Sequence, residues 1–77
     1  SATSKTALGR VQLTVDRVLE YADRSPSSKA QEWRDEANDI ASRIPLVKVQ
    51  RGKERRKSVS NLQKRADKLL AEVLNEH

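Results

Sequence analysis

The sequence contains no cysteine, no methionine and no phenylalanine, and its aromatic content is one tyrosine, Tyr21, and one tryptophan, Trp33. Without cysteine there is neither a disulfide framework nor a thiolate metal site. The one histidine, His77, is the last residue, which leaves imidazole catalysis and histidine-ligated metals without a setting. No apolar run approaches the roughly 20 residues that a membrane helix needs, and no signal-peptide core is visible. A cytoplasmic protein with no metal, no cofactor and no membrane partner is therefore expected. At 77 residues the chain is a single domain, and because it opens at Ser1 rather than methionine it reads as a fragment of a longer protein.

What the sequence has in quantity is charge: 35% of its residues are Asp, Glu, Lys or Arg, with a net charge of +5. The excess is local. Residues 1–42 carry six Lys/Arg against seven Asp/Glu, and residues 58–77 carry three of each. Between them, Arg43, Lys48, Arg51, Lys53, Arg55, Arg56 and Lys57 stand against Glu54 alone. A basic average suggests nucleic acid, whereas a basic patch suits any acidic partner.

Three segments share one apolar pattern. Leu8, Val11, Val15, Val18 and Ala22 step by three and four residues, as do Ala30, Trp33, Ala37, Ile40 and Ile44. Val59, Leu62, Ala66, Leu69 and Val73 repeat it, with Leu70 and Leu74 widening the stripe. One stripe per segment at this period predicts an all-α, antiparallel three-helix bundle. The breaks fall between the stripes. Ser25-Pro26-Ser27-Ser28 separates the first two, with Ser28 and Gln31 spaced as a capping box. Pro45 is expected to end the second helix near Ile44, because the residue before proline disfavours helical geometry. Helices over about 5–23, 27–44 and 53–75 follow, with 46–52 extended or irregular. The inner faces carry Ala22, Ala30, Ala37, Ala41 and Ala66, so the helices approach closely while each buries little area. Folding of so short a chain leaves a small margin, and completion by a partner or by the parent protein is in keeping with that.

Two charged constellations stand out. Glu32, Asp35, Glu36 and Asp39 lie at i, i+3, i+4 and i+7 of the second helix, opposite its apolar stripe. Like charges at i,i+4 oppose each other by a few tenths of a kcal/mol, so the stripe calls for a cation, from within the chain or from a partner. Paired carboxylates perform acid–base chemistry only where one is desolvated in a pocket, and an exposed stripe offers none. The chain is accordingly expected not to be an enzyme. The second constellation is the basic patch Lys48, Arg51, Lys53, Arg55, Arg56 and Lys57, which covers the loop and the start of the third helix. Cations at a helix N-terminus oppose its dipole, so their placement does not serve the helix. They suit phosphates, but no aromatic is interleaved to stack bases and the neighbouring helix is acidic. Arg55-Arg56-Lys57-Ser58-Val59 also matches the substrate pattern of arginine-directed kinases, which makes Ser58 a candidate phosphosite. Trp33, between two alanines of its stripe, reads as core, and Tyr21 as a boundary residue.

The run Arg55-Arg56-Lys57-Ser58-Val59-Ser60-Asn61-Leu62-Gln63 resembles the third helix of a BAG domain, with its basic pair, apolar positions and glutamine. Leu8-Gly9-Arg10-Val11-Gln12 is similar to a stretch of the first helix in some members. The resemblance implies a short three-helix bundle that binds the nucleotide-binding domain of the major ATP-dependent heat-shock chaperone and promotes ADP release. It also implies partner contacts at Arg55 and Gln63, with Arg56 beside them. The second helix departs from the pattern: where the family has an apolar-Leu-Asp signature, this chain has Asp39 alone, with Pro45 close behind.

The expected function is thus a non-enzymatic protein–protein interaction module of adaptor or cochaperone type. Its two-signed face on helices two and three would combine Glu32, Glu36 and Asp39 with Arg55, Arg56 and Gln63. Two-signed surfaces orient protein partners and grip a uniformly negative polymer poorly. The alternatives are a nucleic-acid-binding bundle that holds phosphates with residues 48–57, and a structural or oligomerisation bundle.

Overall fold

In a computed structural model, residues 6–76 are described. They form three helices, α1 (Ala7–Arg24), α2 (Ala30–Lys48) and α3 (Gly52–Glu76), with no strand among the described residues. Each helix contacts both others, which makes the all-α three-helix bundle that the stripes predict. Chain direction alternates: Lys29 at the start of α2 meets Glu76 at the end of α3, while Val47 near the end of α2 lies beside Ser58.

The apolar stripes supply the core. Val11, Val15, Val18 and Ala22 of α1 pack with Trp33, Ala37, Ile40 and Ile44 of α2 and with Leu62, Ala66, Leu69 and Val73 of α3. Trp33 is the largest of these side chains and is 1% exposed. Its indole Nε1 donates to Glu72 Oε2 at 3.1 Å, so the one polar atom of the ring reaches the surface while the ring fills the gap between Ala30 and Ala37. Tyr21 is half-buried at the edge of the core, and Val59 and Leu70 pack on its rim. Leu74, expected to widen the third stripe, is half exposed instead.

Helix ends depart from the sequence reading in three places. The start expected near residue 5 lies outside the described residues. Within the described residues α1 begins at Ala7 with Thr6 as its N-cap, Thr6 Oγ1 accepting from the Gly9 amide at 2.8 Å, which satisfies one of the orphan donors of a first turn. The Ser28–Gln31 capping box does not form. Ser27 Oγ accepts the Lys29 amide at 3.1 Å, and the Gln31 side chain donates forward to Asp35 at 2.8 Å, so α2 begins at Ala30 rather than 27.

The third departure concerns Pro45, which does not end α2. The helix runs through it to Lys48, and the segment expected to be irregular from 46 shrinks to residues 49–51. Proline removes one N–H and crowds the carbonyl four residues back, here that of Ala41. Pro45 is exposed, so water can take that bond, and the extra turn buries Val47 to 5% exposure. Val47 continues the stepping from Ile40 and Ile44 by three residues. Burial of one more side chain outweighs the single lost hydrogen bond.

The chain then reverses through residues 49–51 and enters α3 at Gly52, whose φ of 58° is the one positive value among the described residues. That left-handed geometry costs an L side chain roughly 1–2 kcal/mol and glycine almost nothing. No residue of α3 is buried before Leu62, so its first turns, which carry most of the basic patch, rest on little apolar packing.

Candidate interaction surface

The acidic stripe of α2 is answered from within the chain. Arg65 of α3 reaches across and donates to Glu36 Oε2 from Nη2 at 2.6 Å and from Nε at 3.2 Å. The same Nη2 donates to Asp39 Oδ2 at 3.0 Å, and Arg43 Nε donates to that oxygen from the other side, also at 3.0 Å. Hydrogen bonds from Arg43 and then Arg65 hold the Asp39 carboxyl below the usual carboxylate range, while Glu36 foremost raises the Arg65 guanidinium. Asp35 accepts from Gln31. Glu32 is exposed at the mouth of a groove that it shares with Trp33, Glu36, Arg65, Lys68 and Glu72. The stripe's like charges call for a cation, and Arg65 supplies it. Arg65, three residues beyond Leu62 on the flank of its stripe, was the available signal.

The basic patch has no such internal answer. Lys48, Arg51, Lys53, Arg55, Arg56 and Lys57 are all exposed, and the salt bridges among the described residues involve none of them. Arg55 and Lys48 border a depression of about 640 Å³ floored by Leu8, Gly9 and Ile44. The same end of the molecule carries Leu46 at 63% and Val49 at 79% exposure. Two apolar side chains thus project at the basic end, Leu46 from the last turn of α2, where an irregular segment was expected, and Val49 from the reversal that follows.

The six residues expected to form one face do not share one. Glu32, Glu36 and Asp39 lie together on the α2–α3 side. Gln63 is on the opposite flank of α3, two residues and some 200° around the helix from Arg65. Its Nε2 donates to Thr14 Oγ1 of α1 at 3.3 Å and to Asp67 Oδ1 at 2.8 Å, beside Arg10, Leu13 and Arg17. Arg56, seven residues before Gln63, falls on that same α1 flank, and Arg55 lies between the two at the basic end. Ser58 is half-buried in the upper α2–α3 groove with Arg43, Leu46, Gln50, Asn61 and Arg65.

Lengthwise, the molecule is therefore two-signed: Glu32, Glu36, Glu72 and Asp39 occupy the lower part of the α2–α3 side, and the cations are spread around the upper end of the bundle. No group of His, Cys, Asp or Glu side chains among the described residues could hold a metal ion, and no described helix is long and apolar enough to cross a membrane. His77 lies outside the described residues. No family model, curated protein or solved structure matches the chain, so the likeness to BAG domains rests on the residues quoted for it.

Proposed function

We propose that the chain is a non-enzymatic protein–protein interaction module, of adaptor or cochaperone type, that docks a protein through the basic upper end of the bundle. The observation that carries this reading is the contrast between the two charge sets. The carboxylates of Glu36 and Asp39 are engaged by Arg65 and Arg43, whereas the cations of residues 48–57 have no salt-bridge partner among the described residues and share their end of the molecule with exposed Leu46 and Val49. Exposed apolar side chains beside polar and charged ones suit a protein interface, and complementary charge would steer and orient an acidic or two-signed partner. The ATPase domain of a heat-shock chaperone is the partner that the BAG resemblance implies.

A nucleic-acid reading has one specific observation in its favour. Lys53, Lys57, Lys64 and Lys68 are exposed and fall in one row along the outer face of α3, a spacing compatible with a phosphate backbone. One experiment separates the two. The immobilised chain is offered to a lysate, with and without nuclease treatment, as wild type, as Arg51/Arg55/Arg56→Glu and as Lys64/Lys68→Glu. Protein capture that is lost in the first variant and kept in the second supports the proposed end. Capture that survives both, or that disappears with nuclease, overturns it. In the latter case binding to a duplex should weaken with salt at a log–log slope of about −0.9 per phosphate contacted.

A further inference from the structure

We propose that Ser58 is a phosphoacceptor for an arginine-directed serine/threonine kinase, reached by local unwinding at the start of α3, and that the phosphate is then held by Arg43 across the α2–α3 groove. The sequence around it supplies the recognition: Arg55 and Arg56 at −3 and −2 and the apolar Val59 at +1. All of this stretch is wound into α3, so a kinase that reads an extended peptide needs it opened. The structure makes the opening inexpensive. Residues 52–57 are exposed, Ser58 and Val59 are only half-buried, and the first buried residue of α3 is Leu62. Segments with few buried contacts open at low cost, and Lys53, Arg55, Arg56 and Lys57 oppose the dipole of the helix they begin.

The groove that receives the modified residue is suited to an anion. Among the described residues Arg43 uses only Nε, on Asp39, so both of its Nη groups retain their donors in the groove that Ser58 lines. Gln50 lines the same groove, and its enclosed Oε1 accepts no hydrogen bond; a half-turn of that amide would present Nε2 as a donor instead. A serine phosphate brings nearly two negative charges and three acceptor oxygens, which Arg43, with Arg55 one turn back along α3, can bind. The chemistry balances as ordinary phosphoryl transfer. Ser58 Oγ forms a bond to the γ-phosphorus of ATP, the bond to the bridging oxygen breaks, ADP leaves, and the hydroxyl proton passes to the base of the kinase.

The test treats the folded chain with the catalytic domain of an arginine-directed kinase and Mg-ATP, and follows intact mass and peptide mapping. The expected result is one phosphate, on Ser58 and not on exposed Ser60, with no incorporation in Ser58→Ala and at least tenfold slower incorporation in Arg55/Arg56→Ala. No incorporation, or equal incorporation in Ser58→Ala, overturns the acceptor assignment. A phosphorus NMR titration of the product then reads the groove. The second phosphate ionisation should fall below its ordinary value of about 6 and return towards it in Arg43→Ala. An ionisation that Arg43→Ala does not move overturns the holding role. Neither arm requires the docking partner.

Discussion

Replacement of Pro45 by alanine separates two accounts of α2 sharply. If proline ended the helix, alanine there would change little, because the residue would sit in a loop. In the structure Pro45 is inside α2, with Val47 buried beyond it, and alanine would restore an amide to bond the Ala41 carbonyl. In a helix interior proline is about 3 kcal/mol worse than alanine. Part of that returns through the unfolded chain, which proline stiffens by about 0.4–1 kcal/mol, and part is already relieved because Pro45 faces water. A net stabilisation of about 1–2 kcal/mol is expected from the balance of these effects. For a domain of this size that corresponds to a rise in thermal midpoint of roughly 5–15 °C. Circular dichroism melts of wild type and Pro45→Ala measure it, and amide exchange at position 45 reports whether the new bond forms. An unchanged or lowered midpoint would refute the placement of Pro45 within the helix.

Other perturbations probe the remaining contacts. Trp33→Ala should cost about 3–5 kcal/mol, a large share of the roughly 4–11 kcal/mol available to a chain of this length, and urea titration should find it largely unfolded or strongly shifted. Gly52→Ala meets no atom within 4 Å, so its cost should be the backbone term alone, about 1–2 kcal/mol, read as a lowered urea midpoint with unchanged slope. Because the folded Asp39 carboxyl titrates below its unfolded value, its contribution to stability is present above the ordinary carboxylate range and is lost as pH falls through the folded value. Acid melts should therefore show a loss that Asp39→Asn removes, and identical acid profiles for the two chains would contradict the bridge. Lys29 has the opposite sign. Glu76 raises its pKa, so its contribution persists below the ordinary lysine value and fades only as pH climbs through the raised one, a dependence that Glu76→Gln should abolish.

The stripes made the fold legible because burial follows period, and period is written in the order of residues. The same pattern carried the end of α2, since Val47 continued the stepping, but a local rule about proline was allowed to override it. Local preference gave way because one more buried side chain and a water-facing carbonyl cost less than stopping. The start of α2 was illegible for a related reason: Ser27 and Ser28 are both competent acceptors, yet Ser27 Oγ takes the Lys29 amide and the helix opens at Ala30 with no side-chain cap. At the surface the charge sets were legible, yet their partition was not. Glu36 and Asp39 needed Arg65, 29 and 26 residues away, and no local pattern announces so distant a contact. Gln63 was grouped with Arg55 by adjacency in a motif, whereas its position around α3 turns it to Thr14.

The late arrival of α3 in the core has a mechanical consequence. From Gly52 to Leu62 the helix advances about 15 Å, and over that distance all its cations are exposed and only Val59 packs on the rim of the core. The molecule measures 41 Å along its long axis and 24 by 18 Å across, so the basic end resembles a peg more than a plate. A flat partner would meet one side of such a projection and leave the remaining cations in solvent. A partner with a cleft could enclose Arg51, Lys53, Arg55 and Arg56 from several directions at once, and the depth of that cleft would decide how many of them it engages.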